Sequence, residues 1–575
     1  MLHQIDWWVI GAYCALALAI GVYFSKRASK NISEFFIAGR NLPWWIAGTS
    51  IVATTFAVDT PLAVSGLVRT QGIAGNWLWW NILMGSMFAT FFYARLWRRA
   101  KILTDVELIE LRYAGKPASI LRGSLALYRS ILLNCITIGW VMQAMVKISA
   151  AFLPWSKGVL IPVALGLVLL YSALSGFWGV VMTDLVQFVI AMVGSITLAV
   201  IAMNNVGGVA VLKEKLTSET LSFAPQVGAG QLALFTFVVY IGVQWWATGT
   251  AEGGGYIAQR LFSTKNERHS VLASLWFTFA HYALRPWPWI IVGLVSMVKF
   301  VDLPADQAES AYPMMLMEFL PVGLRGLTIA SLFAAFMSTM DTQLNWGASY
   351  LINDFYRRFI RKNASDRHYV LVSRIAMVAI AIVGGTVAYF TTSIANAWRF
   401  LFTLTSGVGL VLLLRWYWWR INAWSEMSAL VASGIVATVL NLWPRFSGTD
   451  LFAMRLLITT AVSTVVWVTV TFLTPPVPRE HLKSFYRRVR PGAGFWGPIK
   501  RLLPEIHVEN RGWRDFGCWI GGVVSVYSAM FGIGKLLLGE PWLGTAMLIV
   551  SGFTAAMVLR TVAQGESTET HADTK

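Results

Sequence analysis

Apolar stretches of about 20 residues recur along nearly the whole of this 575-residue chain, and only 13% of its residues are charged. A helix of about 20 residues crosses the hydrocarbon core of a bilayer, where every backbone polar group needs a partner within the protein. Soluble domains carry about 25% charged residues. The windows lie at residues 5–24, 44–66, 76–97, 123–152, 158–177, 179–203, 231–250, 271–298, 323–350, 369–390, 394–415, 424–443, 453–474, 516–538 and 541–560. The sequence therefore predicts an all-α polytopic membrane protein with about 15 transmembrane spans.

Lysine and arginine are concentrated in the loops that follow odd-numbered windows, apart from the short gap after the fifth. The clusters occupy residues 26–40, 95–116, 260–268, 357–367, 415–420 and 483–501. Such an excess marks cytoplasmic loops. We therefore expect a multi-pass plasma-membrane protein, in a bacterium an inner-membrane protein, with its amino terminus outside and its carboxyl terminus in the cytoplasm. The net charge of +18 then reflects orientation in the lipid bilayer, and we expect no nucleic-acid partner.

Two windows are interrupted by residues that weaken a helix. The second contains Asp59-Thr60-Pro61, and the seventh runs into a polar and glycine-rich segment from Ala247 to Gly255. Proline removes a backbone donor and glycine is a poor helix former. Interrupted helices in corresponding positions of two halves indicate an inverted-repeat transporter with its binding site at the breaks. Carbonyl groups freed there can bind a cation.

The ninth window contains an unusual polar stretch, from Ala334 to Thr342. Three hydroxyls and a carboxylate fall within five residues of it, at Ser338, Thr339, Asp341 and Thr342. Ionisable groups within a bilayer are costly and mark ion or substrate pathways, and these oxygens suit a hard cation. The alternatives are hydroxyls that bond back to their own helix, and an aspartate that is protonated or forms a structural ion pair.

Four motifs, in this order, resemble those of the sodium/solute symporter family over about residues 5–475. They are Glu34–Arg40 followed by Leu42–Trp45, then Thr183–Gln187, Tyr256–Ser263 and Ala334–Thr342. The resemblance implies the five-plus-five inverted repeat of the leucine-transporter type, with extra flanking helices.

The windows and this resemblance together predict the organisation of the chain. Residues 1–43 hold the first helix and an amphipathic loop, 44–203 the first repeat (spans 2–6), 204–420 the second repeat (spans 7–11), 421–475 spans 12 and 13, 476–515 a basic cytoplasmic linker, 516–563 a two-span extension and 564–575 a polar tail.

The resemblance also implies two cation sites. The main sodium site would use backbone carbonyls of Ala53 and Phe56 on span 2, with Ala335, Ser338 and Thr339 on span 9. A second site, found in some members, would use Asp184, Ser338, Asp341 and Thr342. Sodium is the expected coupling ion, and neither a transition metal nor another cofactor is expected.

A small polar organic solute, such as a sugar, an amino acid or an organic acid, is expected between the two breaks. The candidate residues are Thr55, Asp59, Thr60, Asn81, Gln244, Trp245 and Glu252, with Trp398 as a weaker one. Arg129 and Arg285 lie in or near spans, where an arginine binds a substrate carboxylate, extends to the membrane interface or pairs structurally.

Two alternatives to sodium symport stay open. A proton-coupled carrier would use Asp59 or Asp341, and a transporter-like sensor would signal through residues 475–575. An enzyme would need a metal cluster or a nucleophile with its base. The seven histidines are scattered, so no enzyme activity is expected.

Overall fold

The fold is known from a computed structural model that describes residues 2–28, 40–102, 104–172, 177–225, 234–446, 448–492, 494–506, 508 and 511–572. These residues are helical almost throughout. They contain no β-strand, and their only extended pairings are isolated bridges at Leu42–Thr264 and Trp418–Phe495. The prediction of an all-α chain is confirmed.

All but one of the principal helices follow the predicted windows, and the exception, Arg479–Val489, lies in the predicted linker. They are α1 (Gln4–Ala28), α2 (Trp44–Thr55), α3 (Asp59–Gln71), α4 (Gly115–Leu127), α5 (Asn134–Ala150), α6 (Lys157–Ser172), α7 (Phe177–Asn205), α8 (Glu267–Phe279), α9 (Pro286–Lys299), α10 (Leu324–Ser349), α11 (Asp366–Phe390), α12 (Ile394–Thr405), α13 (Gly409–Tyr417), α14 (Ala423–Leu442), α15 (Phe452–Leu473), α16 (Arg479–Val489), α17 (Gly512–Leu537) and α18 (Pro541–Ala572).

Shorter helices and π-helical segments complete the chain. The short α-helices are Trp77–Trp80, Ile82–Phe88, Ala94–Ala100, Leu108–Arg112, Gly208–Lys215, Leu234–Val239, Trp245–Ala247, Tyr256–Phe262, Ala311–Phe319 and Gly497–Lys500. The π-helical segments are Ala89–Tyr93, Tyr128–Leu133, Tyr240–Gln244, Ala280–Leu284 and Tyr350–Ile360. Such segments are frequent at functional sites because they re-aim the side chains that follow them.

The protein is a multi-pass membrane protein. Among the described residues, 7 helices are long and apolar enough to cross a bilayer, and two bent pairs bring the number to 9. A helix lies in each of the remaining windows as well. Of these, α1 and α10 are long and uninterrupted, and the others are shorter or interrupted. The number of about 15 crossings and the division into repeats stay predictions.

Two spans are sharply bent at non-helical residues. The α2–α3 pair bends by 59° across Phe56–Val58, at the break that Asp59-Thr60-Pro61 predicts. The α12–α13 pair bends by 47°, which the windows do not predict. In the seventh window the chain leaves the helix after Ala247 and re-enters one at Tyr256, again as predicted.

Capping and amphipathic patterns fix the ends and faces of several helices. Asn422 starts α14 with a capping box, in which its side chain accepts the Ser425 N–H while the Ser425 hydroxyl accepts the Asn422 N–H. Helix α16 lies within the predicted cytoplasmic linker. It buries one apolar face and exposes basic side chains such as Arg487 and Arg488.

The helix that carries the polar stretch is central in the packing. Helix α10 contacts α1, α7, α11 and α2, and α3 packs along α9. At the carboxyl end, α17 and α18 form a hairpin, and α17 lies against Ile82–Phe88 and Ala280–Leu284. The fold therefore brings α2, which ends at the α2–α3 break, into contact with α10.

Candidate functional site

The α2–α3 break frees backbone carbonyls in a buried place. Helix α2 ends at Thr55, and Phe56 leaves the helical region with ψ at 75°. Helix α3 restarts at Asp59 with Pro61 in its first turn, where a proline is tolerated because its missing N–H has no helical partner. The Phe56 N–H donates to the carbonyls of Val52 and Ala53, at 2.9 and 3.0 Å. Each carbonyl oxygen keeps a second lone pair for another ligand.

The predicted ligands on α10 share one buried face. Ala335, Ser338 and Thr339 are spaced by three and four residues, which places them on the same side of the helix. Ser338 is 7% and Thr339 is 5% exposed, and α10 packs against α2. The structure thus places the predicted main sodium ligands, which include Ala53 and Phe56, on two helices in contact.

Thr339 differs from other hydroxyl residues of its helix. Thr328 donates to the carbonyl of Leu324 at 2.9 Å, and Ser331 donates to that of Thr328 at 2.8 Å. Within the described part of the chain, the Thr339 hydroxyl forms no hydrogen bond. Its oxygen is therefore available to a ligand, as a cation site would require.

The predicted second cation site is only partly described. Asp341 is buried and accepts a hydrogen bond from Asn345 Nδ2 at 2.6 Å. Thr342 is half-buried one residue further along. The Asp184 side chain lies outside the described residues, so this site stays a prediction.

Several solute candidates surround the break. Asp59 is buried, and its Oδ1 has no partner among the described residues. The Trp398 side chain on α12 lies against the same carboxylate. The Thr55 hydroxyl donates to the Ile51 carbonyl at 2.6 Å and lies 3.2 Å from the Tyr256 hydroxyl. Residues of both interrupted spans therefore meet here, and Thr60 is buried beside them.

Two further candidates share one backbone carbonyl. Asn81 Nδ2 and Gln244 Nε2 both donate to the Leu78 carbonyl, at 3.1 and 2.7 Å. These bonds fix the amide orientations, since only the nitrogens can donate. The side-chain oxygens of both residues are buried without a hydrogen-bond partner in the described structure. Trp245 instead packs on Phe88 and Trp519.

Glu252 and Arg129 are engaged by other charged side chains. Both carboxylate oxygens of Glu252 accept from Arg415, at 2.8 and 2.9 Å, and Arg415 also pairs with Glu426. Arg129 pairs with Asp105.

Asp105 belongs to a second polar network, beside the network of Glu252, Arg415 and Glu426. It accepts from the Tyr350 hydroxyl and from the Gly255 N–H. Burial raises the pKa of Asp105, but the Arg129 guanidinium and these hydrogen bonds hold it below its usual value. The role of Glu252 as a solute residue stays a prediction, and its carboxylate is already paired with Arg415 within the protein.

Arg285 reaches the break from another element. It follows the π-helical segment Ala280–Leu284 and is fully buried. Its guanidinium donates to the Val52 carbonyl at 3.0 Å, to the Thr55 carbonyl at 3.4 Å and to His281 Nδ1 at 2.8 Å. From sequence alone, this arginine could equally have pointed to the membrane interface.

Comparison with known proteins identifies the family. The family model described as the sodium:solute symporter family matches residues 35–433. The chain belongs to this family. Its members are transporters and not enzymes, as the absence of a catalytic set in the sequence predicts.

Among similar proteins, this chain is 25% identical to a sodium/glucose cotransporter of Vibrio parahaemolyticus, over 80% of this chain and 91% of that protein. It is 25% identical to sodium/glucose cotransporter 4 of Danio rerio, over 84% of this chain and 80% of that protein. The sodium/mannose cotransporter of Bos taurus is 26% identical, over 68% and 69%.

A solved structure shares the fold of the symporter. It is the substrate-bound outward-open state of a Na+-coupled sialic acid symporter, with a TM-score of 0.65 and 22% identity. The superposition covers 83% of this chain and 99% of the other. At this identity, the likeness concerns the fold alone.

Proposed function

We propose that this protein is a sodium-coupled secondary active symporter that imports a small polar organic solute by alternating access. The observation that carries the proposal is the contact of α2, which ends at the break beside Ala53 and Phe56, with α10, whose buried face bears Ser338 and Thr339. Neutral carbonyl and hydroxyl oxygens suit a hard monovalent cation and would not hold a soft transition metal.

Sodium bound between α2 and α10 would hold the two helices together and thereby shape the break for the solute. The same break presents Asp59, so the two ligands share one element. Coupling requires that each ligand raise the affinity for the other by the same factor. Rocking of one bundle against the other would then expose the shared site to each side of the membrane in turn.

The polar groups of the solute candidates favour a solute rich in hydrogen-bond donors. Asp59 Oδ1, Asn81 Oδ1 and Gln244 Oε1 are buried acceptor atoms without partners in the described structure. A buried acceptor left unpaired costs about 1–3 kcal/mol, so solute hydroxyl or ammonium groups that bind there would be favoured. Sugars, which the names of the relatives specify, meet this need, and so do amino acids and hydroxy acids.

The test is the thermal stability of the purified protein at increasing sodium, with choline as the replacement cation. We expect saturable protection in the wild type. Ser338→Ala and Thr339→Ala should raise the half-saturating sodium concentration, because each removes one ligand oxygen. Ser331→Ala is the matched control, since its hydroxyl bonds within the same helix and its loss should leave the sodium dependence unchanged.

Proton coupling is the alternative that one observation favours, namely the buried Asp59 carboxylate with an unpartnered oxygen. Protection that follows pH and ignores sodium would support it and would contradict the sodium proposal. Uptake of the solute into vesicles should then respond to an imposed pH gradient instead of a sodium gradient.

A further inference from the structure

Four carbonyls at the end of α2 fall into two pairs. Val52 and Thr55 form one pair, and Ala53 forms the other with Phe56, the residue that follows the helix. The first pair accepts hydrogen bonds from Arg285, at 3.0 and 3.4 Å. The second pair is the one proposed to bind sodium.

Arg285 has no carboxylate partner within ion-pair distance among the described residues. Its guanidinium lies instead over the rings of Phe56 and Trp289, at 5.1 and 5.2 Å from their centroids, and those rings stack on each other. The carboxyl end of a helix carries partial negative charge on its free carbonyls. The end of α2 therefore contributes counter-charge for this buried cation.

A guanidinium suits this task better than an ammonium group. It is planar, stays charged and presents donors in a fixed fork, so it can hold two carbonyls at a set separation. The His281 ring and the two aromatic rings restrict its movement from other sides. The orientation of the peptide units at the break is consequently tied to the element that leads into α9.

We infer that Arg285 is a positioning residue for the main sodium site, which it serves by fixing the Val52 and Thr55 carbonyls so that those of Ala53 and Phe56 face α10. This inference rests on the proposed function. Arg285 does not touch sodium. It acts as a tethered cation at the Val52 and Thr55 carbonyls and leaves the carbonyls of Ala53 and Phe56 for a mobile cation.

The experiment measures the half-saturating sodium concentration for thermal protection of the purified full-length protein, with choline replacing sodium. Arg285→Gln, which removes the charge and the fork, should raise it at least about tenfold, since hydrogen bonds to charged groups contribute more than neutral ones. Arg285→Lys keeps the charge without the fork and should give a smaller increase. If the glutamine variant does not fold, Arg285→Lys alone tests the role of Arg285 in sodium binding.

The matched control is Arg112→Gln. Arg112 is also fully buried, donates to the carbonyls of Arg415 and Trp418 at 2.7 and 2.9 Å, and lies over aromatic rings. Its loss should lower the melting temperature in choline without changing the sodium concentration required. A structural role alone for Arg285 would give the same result and would overturn the inference.

The outcomes separate this inference from the proposed function. If sodium protects the wild type and Ser338→Ala weakens that protection while both Arg285 variants match the wild type, the sodium site stands and the role of Arg285 is rejected. If sodium does not protect the wild type at all, the proposed function fails and the inference fails with it.

Discussion

At the scale of single residues, Asp59 connects the two ligands that the symporter is proposed to couple. It begins α3 directly after the break and has a free carboxylate oxygen, and it lies in the electrostatic field of Arg285. It is not one of the proposed sodium ligands. Its substitution should therefore separate solute recognition from sodium binding.

Asp59→Asn keeps the size of the side chain but removes its charge and one acceptor. We expect sodium-driven uptake of the solute to need at least about tenfold more solute for half-maximal rate, because a charged hydrogen bond is lost. Thermal protection by sodium alone should stay close to the wild type. Asp306→Asn, at an exposed position of the 3-10 helix Ala305–Ser310, is the control, and equal effects in both variants would contradict a role for Asp59 in the solute site.

The place of Asp59 at the break was predictable, because an aspartate two residues before a proline within an apolar window is conspicuous in the sequence. The sequence also places Arg285 near a span end, but it does not show where the side chain points. A long side chain there can reach either the headgroups or the protein interior. Tyr256 was quoted only as part of a motif. Its contact with Thr55 joins residues 201 positions apart, and no local pattern encodes that distance.

At the scale of elements, the amino end of α12 is held by one carboxylate from a distant loop. Glu309 accepts from the N–H groups of Ile394 and Ala395, at 3.0 and 2.9 Å, and from Lys147 Nζ at 2.6 Å. Gly66 on α3 packs so closely that a Cβ there would lie 2.9 Å from the Glu309 side chain. Since α12 carries Trp398 against Asp59, this contact helps to fix the position of a residue that is a candidate for the solute site.

Glu309→Ala should destabilise the protein by about 3–5 kcal/mol, because it leaves the charge of Lys147 unpaired in a site where that side chain is only 11% exposed. Adding Lys147→Met should recover part of the loss, since it removes the unpaired charge. Thermal unfolding in detergent measures both. The control is Glu318→Ala, whose pair with Lys299 is exposed and should contribute less than about 1 kcal/mol. Equal losses for Glu309 and Glu318 would contradict this account.

The break between α12 and α13 shows why some elements escape prediction. Ser433 from α14 donates to the Leu404 carbonyl and accepts the Gly407 N–H, while Ser463 from α15 donates to the Gly407 carbonyl. Hydroxyls from neighbouring helices thus satisfy the freed backbone, which allows a bend within a membrane. The bend of α2–α3 is predicted by a proline next to it in the sequence. The bend of α12–α13 depends instead on hydrogen-bond partners elsewhere in the sequence.

At the scale of the whole molecule, the carboxyl-terminal hairpin is part of the transporter body. Trp519 donates to the Met84 carbonyl at 2.9 Å and Tyr527 to the Trp80 carbonyl at 2.9 Å. The Trp287 indole donates back to the Met530 carbonyl at 2.7 Å. The hydropathy windows place two helices after the linker but contain no information about what they pack against. Through Trp519, the hairpin also contacts Trp245, one of the solute candidates.

Gly534 provides the sharpest test of that packing, because a Cβ at this position would overlap the Trp287 indole. The side chain of Trp287 is large, fully buried and hydrogen-bonded, so it cannot move without cost. Gly534→Ala should therefore lower the free energy of unfolding by about 1–3 kcal/mol, as over-packing does. Thermal unfolding of the full-length protein is the measurement.

Gly517→Ala is the control within the same helix, since nothing lies within 4 Å of a Cβ there. Alanine is the better helix former, so this substitution should be neutral or stabilising by up to about 1 kcal/mol. If the α17–α18 hairpin did not pack against the rest of the protein, it would tolerate both substitutions equally. A loss confined to Gly534→Ala would mean that α17 packs against the core at Trp287. Trp287 follows Arg285, which contacts the α2–α3 break, by only two residues.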